Sequence, residues 1–410
     1  MIKSLEFINM DDTGDLCLDR ISSLPAPIID TILCLLPIKL AVRTSVLSRE
    51  WRYNWTRITV LCFYKNEFKG STTAAGTDLL SILERSFDLS CPARMMIRMF
   101  KFFTAIKECL KLHHGPLLEF YLFANTDKDC VELDEIIRLV SRRGDTVKLF
   151  QLNLNENSMY RLPSSLFALH QLTNLCLDYG CIYHQPTTFN GFPRLTYLSL
   201  HHVKISIKSL LHLLSSCPLL EILTLNLNED DILGNDKSSI TELIECLPAI
   251  QSLHIGSVFH CFSVDSLSQE LPMSLVGLEN LHIQDMSFLD SIGLPSFSRL
   301  IQCSPKLKIL TLISYDLPDE NEPITLNKYS NIWLKNLSEF EIYGIIDFDL
   351  KLHLEFAQLI MAKSPMLKKV GIWLCEDVTD DELSNISRLL LNSPRASGSA
   401  KITVGRHLNE

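Results

Sequence analysis

Apolar positions fall into two patterns, a short helical one near the N-terminus and a long strand-like series after it. Ile28, Ile29, Ile32, Leu33 and Leu36 recur at the i, i+1, i+4, i+5, i+8 positions of an amphipathic helix. Ser22-Ser23-Leu24-Pro25 precedes them as a turn-and-cap signal. Pro37 ends the helix, because an interior proline removes a backbone donor and clashes with the preceding turn. A second short helix is predicted through Leu40, Ala41, Val42 and Val46. Ser48, a good N-cap, introduces a third that brings Trp51 and Trp55 onto one face at i, i+4. Three helices this short cannot bury all of that apolar surface among themselves, so some of it needs a partner.

From Leu117 onward the pattern L-x-x-L-x-L, with Ile, Val or Phe substitutions, begins at Leu117, Leu149, Leu172, Leu195, Leu220, Ile250, Leu278, Leu307, Leu337 and Leu367. The spacings run from 23 to 32 residues, at or just above the period of leucine-rich repeats, about 20–29 residues. Each core alternates with period 2, as a strand half-buried on one side should. Amphipathic helices are predicted between strands, through Leu210, Leu211 and Leu214; Ile240, Leu243, Ile244 and Leu247; Leu300 and Ile301; and Phe356, Leu359 and Ile360. Several end in a matching stop: Ser216-Cys217-Pro218, Cys246-Leu247-Pro248, Cys303-Ser304-Pro305 and Lys363-Ser364-Pro365. The expected fold class is α/β, a curved solenoid with one strand and one helix per repeat and strands lining the concave face.

The run from Asp19 to Trp55, DRISSLPAPIIDTILCLLPIKLAVRTSVLSREWRYNW, resembles an F-box of the plant type. It departs from that pattern at Ala26-Pro27, where acidic residues are usual after Leu-Pro; Pro27 falls in the first helical turn, where proline is tolerated. Leu337 to Val404, with LSEFEIYG, FAQLIMAKSPMLKKVGIWL and LLLNSPRASGSAKITV, resembles the FBD module that ends many plant F-box proteins, and reads as a terminal cap. The expected division is a flexible leader at 1–18, an F-box at 19–63, a linker and helical cap at 64–116, leucine-rich repeats at 117–336, FBD-like repeats at 337–405 and a tail at 406–410.

Composition narrows the function. Apolar residues make up 47% of the 410 and charged ones 21%, which fits a globular chain. The net charge of −10 disfavours nucleic acid and anionic membrane as partners. No apolar run reaches transmembrane length, and MIKSLEFINMDDTGD does not read as a secretory signal, so the 13 cysteines are expected as free thiols in nucleus or cytoplasm. No Gly-rich phosphate loop, Gly-x-Ser-x-Gly or His-Glu-x-x-His occurs. The pairs His113-His114 and His201-His202 are adjacent in sequence and point apart in regular structure, so no metal and no cofactor is expected.

The resemblance implies a non-catalytic substrate receptor of an SCF-type ubiquitin ligase, its F-box on a Skp-family adaptor that tethers a cullin scaffold, its solenoid on a target protein. The alternative is a repeat scaffold that recruits no ligase. Adaptor-facing candidates are Leu24, Pro25, Ile28, Ile29, Ile32, Leu33, Leu36, Pro37, Leu40, Val46, Trp51 and Trp55, some of which must form the internal core. The concave face should present the non-leucine strand positions, and its aromatic, histidine and acidic members are the target-binding candidates: Tyr197, His201, His254, His282, Glu339, Glu341, Tyr343 and Trp373. Lys369 is nearly the only cation on that face, which disfavours a polyphosphate ligand.

Overall fold

A computed structural model of the chain describes residues 21–406 except 22–23, 50, 66–90, 127–128, 157–158, 184, 188, 235–236, 265–274, 287, 289–292, 315–331, 346–349 and 375–377. The leader expected at 1–18, residues 66–90 of the linker and cap expected at 64–116 and, Arg406 apart, the tail expected at 406–410 lie outside the described residues.

Alternating burial builds the strands, which in chain order are β1 (Val60–Tyr64), β2 (Glu119–Phe123), β3 (Leu149–Asn153), β4 (Asn174–Ile182), β5 (Tyr197–Ile205), β6 (Ile222–Asn226), β7 (Ser238–Ser239), β8 (Ser252–Ile255), β9 (Phe262–Ser263), β10 (Asn280–Met286), β11 (Ile309–Ser314), β12 (Glu339–Ile345), β13 (Lys369–Leu374) and β14 (Lys401–Arg406). Twelve of them form one sheet in sequence order, while β7 and β9 make a separate pair. Every pairing in the large sheet is parallel, from β1–β2 through β13–β14. From β1 to β13 the inward residues of the large sheet are buried, for example Phe120 and Leu122, Leu198 and Leu200, and Val370 and Ile372, whereas Ile402 and Val404 of the last strand, β14, are half-buried. Each fully buried side chain contributes about 1.5–3 kcal/mol by leaving water.

One backbone device repeats from unit to unit and fixes the register. The carbonyl two residues before one strand's first buried position accepts two N–H groups from the next strand's entry: Leu118 O from Lys148 and Leu149, Lys148 O from Thr173 and Asn174, Thr196 O from Glu221 and Ile222. This ladder corrects one sequence assignment. Phe120 pairs with Phe150 and Leu122 with Leu152, so the second copy begins at Val147, not Leu149. Leu149 sits opposite Glu119 on the open face. The ladder also reaches back to Thr59, whose carbonyl accepts from Leu118 and Glu119, making β1 the first strand of the sheet.

Helices cover much of the other side of the strands. They run Val131–Ser141, Ile207–Ser215, Ile240–Glu245, Gly293–Gln302, Leu350–Lys363 and Asp380–Leu391. Ser206 Oγ accepts from Ser209 N, Ser239 Oγ from Thr241 N, and Thr379 with Glu382 forms a reciprocal capping box. The helices at 207–215, 240–245 and 293–302 stop just before their Pro-containing tripeptides, and the helix at 350–363 stops at the first residue of its own. The expectation of one helix per repeat does not hold throughout. Between β3 and β4 there is only a 3₁₀ turn at Ser164–Ala168, and no helix among the described residues joins β4 to β5. Spacing is not the cause, since β3 to β4 and β5 to β6 span the same interval and only the latter carries a helix; aromatic packing fills the layer here instead. Phe167 lies 4.9 Å from Phe189 and 6.2 Å from Phe192, ring centre to ring centre.

The N-terminal helices Ala26–Cys34 and Ile38–Arg43 precede 3₁₀ turns at Thr44–Val46 and Trp51–Arg57. Pro27 sits in the first turn of the first helix, as the sequence implied, and Ser48 Oγ accepts from Trp51 N at 3.3 Å. The third segment is 3₁₀ and not α. The long helix Cys91–Leu112 then leads to His113, whose Nε2 lies 2.7 Å from Ile58 O and whose Nδ1 lies 2.5 Å from the Arg143 guanidinium. Arg143 also donates to Leu110 O and His113 O, at 2.9 and 2.6 Å. The His113–Arg143 pair thus clamps the helical segment, β1 and the following repeats together. Burial, and secondarily the Arg143 charge, keep the His113 pKa below its ordinary value.

Candidate functional site

Two surfaces collect the candidate residues, one on the N-terminal helices and one on the open face of the sheet. On the helices, the structure separates core from surface. Ile29, Leu33, Trp51 and Trp55 are buried, joined by Ile38 and Ala41. Leu24 and Leu36 are half-buried against that core. Ile28, Ile32, Leu40, Val46, Pro25 and Pro37 are exposed. The reason is periodicity: Ile29 and Leu33 lie one step round the helix from Ile28 and Ile32, so only one pair can face the tryptophans.

The exposed stripe is larger than the sequence reading. Leu35 is 81% exposed, Val46 86% and Leu47 69%, and Val42 and Tyr53 join them at the surface. Leu35 was findable, because Ile28, Ile32 and Leu35 follow the i, i+4, i+7 rule. Tyr53 and Leu47 lie in or beside 3₁₀ turns, whose orientation a helical period does not give. Arg57 lies 3.7 Å from Asp30 across this segment, a partly exposed pair of small energetic weight.

On the sheet, alternate residues line up in rows through the parallel register. The central row runs Cys62, Tyr121, Gln151, Cys176, Ser199, Thr224, His254, His282, Thr311, Glu341, Gly371 and Thr403. Glu339 lies in the row beside it with Tyr197, and His201, Tyr343 and Trp373 lie in the row on the other side. All eight candidates are half-buried, and they fall into separate groups along the sheet.

Tyr197 stands alone at the entry of β5. His201 contacts Ser199 Oγ at 2.8 Å and Asn226 Nδ2 at 3.4 Å. His254 and His282 are direct register partners with ring centres 3.9 Å apart. The third group is Glu341, Tyr343 and Trp373, flanked by Glu339. Tyr343 donates to Glu341 at 2.9 Å, Lys369 pairs with Glu341 at 2.8 Å, and the Tyr343 and Trp373 rings are near-parallel at 5.8 Å. The Trp373 indole lies flat because Gly371 and Gly405 flank it. A Cβ at either would come within 2.7 or 2.8 Å of the ring.

The sequence reading missed the N-terminal end of this face. Tyr64 stacks on Phe123 at 4.5 Å, and Tyr121 donates to Glu119 at 2.8 Å, repeating the Glu–Tyr arrangement of Glu341 and Tyr343. Extending the strand register back to Val60 finds both. Past the face, Tyr179 and His202 occupy left-handed backbone at φ 62° and 50°, their rings stacked at 4.9 Å.

Electrostatics on the open face favours neutral imidazoles. Burial lowers the pKa of His201, of His254 and, to about 4, of His282, with the neighbouring His254 a second cause for His282. An unfolded histidine titrates near 6.5, so at lower pH the unfolded chain takes up protons first. Folding stability is then full above about pH 6.5 and falls as pH drops toward 4. Urea midpoints measured between pH 7 and 4.5 should show His282→Gln losing less stability across that window than the wild type. Parallel losses would remove His282 from the account.

No helix among the described residues is long and apolar enough to cross a membrane. Among the same residues, no group of three or more His, Cys, Asp or Glu side chains is placed to hold a metal ion.

Comparison with known proteins adds the following. Residues 133–240 match the family model described as FBD-associated F-box protein At5g56370, LRR repeats. The chain is 25% identical over 434 residues to the F-box/FBD/LRR-repeat protein At1g13570 of Arabidopsis thaliana, covering 94% of this chain and 98% of that one. It is 27% identical over 329 residues to the F-box protein At4g09920 of the same plant, covering 79% and 90%. Identity reaches 30% over 219 residues with the F-box/LRR-repeat protein At3g03360, across 50% of this chain and 38% of that one.

Proposed function

Because this chain is related along nearly its whole length to plant F-box/FBD/LRR-repeat proteins, we propose that it is the substrate-recognition subunit of an SCF-type ubiquitin ligase. The helices at 26–57 bind a Skp-family adaptor that tethers a cullin scaffold. The open face of the sheet binds the target protein. The chain itself is non-catalytic and acts in the nucleus or cytoplasm. Residues 337–405 serve as the FBD-like cap of the repeat array.

The observation that carries this reading is the set of exposed apolar side chains Ile28, Ile32, Leu35, Leu40, Val46 and Leu47 on a segment whose other apolar residues already pack into the core of the chain. Large apolar side chains grouped this way mark a protein interaction surface. Leu24 and Pro25 border the stripe, while Ile29, Leu33, Trp51 and Trp55 support it from beneath. On the target side, the rigid aromatic pairs at the two ends of the sheet are the expected anchors, since Tyr and Trp dominate interface hot spots. Catalysis then consists of proximity: holding an acceptor lysine near a charged conjugating enzyme makes the encounter effectively intramolecular.

The test is co-expression with a plant Skp-type adaptor, followed by size-exclusion chromatography. A stable one-to-one complex that Leu24→Ala with Pro25→Ala weakens, while the repeats stay folded, supports the reading. If the folded chain elutes alone, the scaffold reading replaces it. The Ala26-Pro27 departure would then be its cause.

A further inference from the structure

The two ends of the large sheet are not alike. At the first, Leu61 and Phe63 of β1 are fully buried. At the last, Ile402 and Val404 of β14 are only half-buried, and among the described residues β14 pairs with β13 alone. Lys401 N–H donates to Lys368 O at 2.8 Å, toward β13. Successive residues of a strand turn their backbone groups to opposite sides, so Ile402 and Val404 present N–H and C=O on the outer edge. Beside that edge an open groove of about 670 Å³ runs along the helix Asp380–Leu391, lined by Leu383, Leu391 and Val404 with Ser384, Ser387 and Arg388. A row of hydrogen-bonding groups thus adjoins a trough where apolar side chains can lie.

We propose that β14 is a docking edge for an extended segment of another protein, which joins the sheet as one more strand. In such an addition main-chain pairing supplies affinity and alternate side chains supply specificity. The segment carries an apolar residue at every second position, set over the groove beside Ile402 and Val404. The residues between are polar and continue the row that ends at Thr403. Charge fixes one end. Lys401 is exposed beside Lys369, its register partner, and Lys369 already pairs with Glu341 at 2.8 Å. Arg406, at the other end of the strand, is paired with Asp380 at 2.6 Å. A carboxylate is therefore called for next to Lys401. A second copy of this chain fits less well, because two-fold pairing of the whole strand sets Lys401 opposite the other copy's Arg406 instead of a carboxylate. Docking at this edge does not rest on the ligase reading, and its test needs no adaptor.

The experiment follows the fluorescence anisotropy of labelled acetyl-DVTVTVD-amide titrated with the purified full-length chain. Acids at both ends place a carboxylate at Lys401 whichever way the strand runs. Binding should saturate, and Val404→Pro should weaken it at least about tenfold. Proline there removes an outward N–H only, so pairing with β13 and the melting curve should persist. Lys401→Glu should weaken binding about three- to tenfold. The same peptide with its five central amides N-methylated reads the edge without altering the protein, and should bind at least about tenfold more weakly. Absence of saturable binding, or equal affinity for the N-methylated peptide, overturns the proposal. A dimer of the chain alone that Val404→Pro dissolves assigns the edge to a second copy and overturns it as well.

Discussion

Ile32→Asp should abolish co-purification of the proposed Skp-type adaptor and leave the melting curve of the chain where it was. Ile32 is 37% exposed, on the same helix face as Ile28 and Leu35. A carboxylate there stays solvated in the free protein, so stability should change by no more than about 0.5 kcal/mol. In the complex the same carboxylate is pressed into an apolar contact without a cation to pair with it. Leaving a buried charge uncompensated costs about 3–5 kcal/mol, and each 1.4 kcal/mol is about tenfold in affinity. Calorimetry should find binding weakened by at least about 100-fold. Wild-type affinity for the variant would remove this face from the interface. Leu33→Asp makes the contrast, because Leu33 is fully buried beside Trp51 and Trp55; that change should unfold the segment and lose binding for a structural reason.

The second large effect lies at the other end of the chain. Phe356→Ala should destabilise the C-terminal repeats by about 3–5 kcal/mol, the range for deleting a fully buried phenyl ring. Phe356 is completely buried on the helix Leu350–Lys363, with ring centres 4.9 Å from Phe288, 5.6 Å from Phe297 and 6.4 Å from Phe340. The ring therefore ties its own unit to two preceding segments, and truncation leaves a cavity that none of them can fill alone. In a linear array each repeat leans on its neighbours, so the loss should appear as early unfolding of the C-terminal strands. Urea melts followed by limited proteolysis would show cleavage beyond Phe288 at concentrations the wild type withstands. A midpoint within 1 kcal/mol of wild type would mean that the aromatic cluster repacks.

The fold was legible in the sequence because its signal is repeated. Leu and Ile at alternate positions, restated about every 23 to 30 residues once the second copy is set at Val147, identify strands even where one copy is degenerate. The second copy shows the limit of this. Val147 and Leu149 both fit an apolar pattern, and only the double acceptance at Leu118 O decides between them. The helix-free units were misread for a related reason, since a strand-to-strand spacing does not say whether a helix or packed phenylalanines fill the gap. On the N-terminal helices the apolar residues were all visible, but their division was not. That division depends on which side Trp51 and Trp55 approach, a tertiary fact. On the sheet, register predicted which side chains share a face. It also set His254 opposite His282, since each follows its repeat start, Ile250 or Leu278, by the same number of residues; the ring-to-ring contact between them depends on side-chain rotamers that register does not give.

The pairing of β1 with β2 has a consequence for geometry at larger scale. The helices at 26–57 run directly into the first strand of the sheet, and the His113–Arg143 clamp fixes the angle at the junction. The N-terminal segment is therefore not a tethered hand but the first course of a wall. On the proposed reading, distance and bearing from the adaptor to each strand of the open face are constants of the molecule. A target gripped near β4 and one gripped near β13 would present different lysines to the same enzyme, so where a target docks along the array would decide where it is marked.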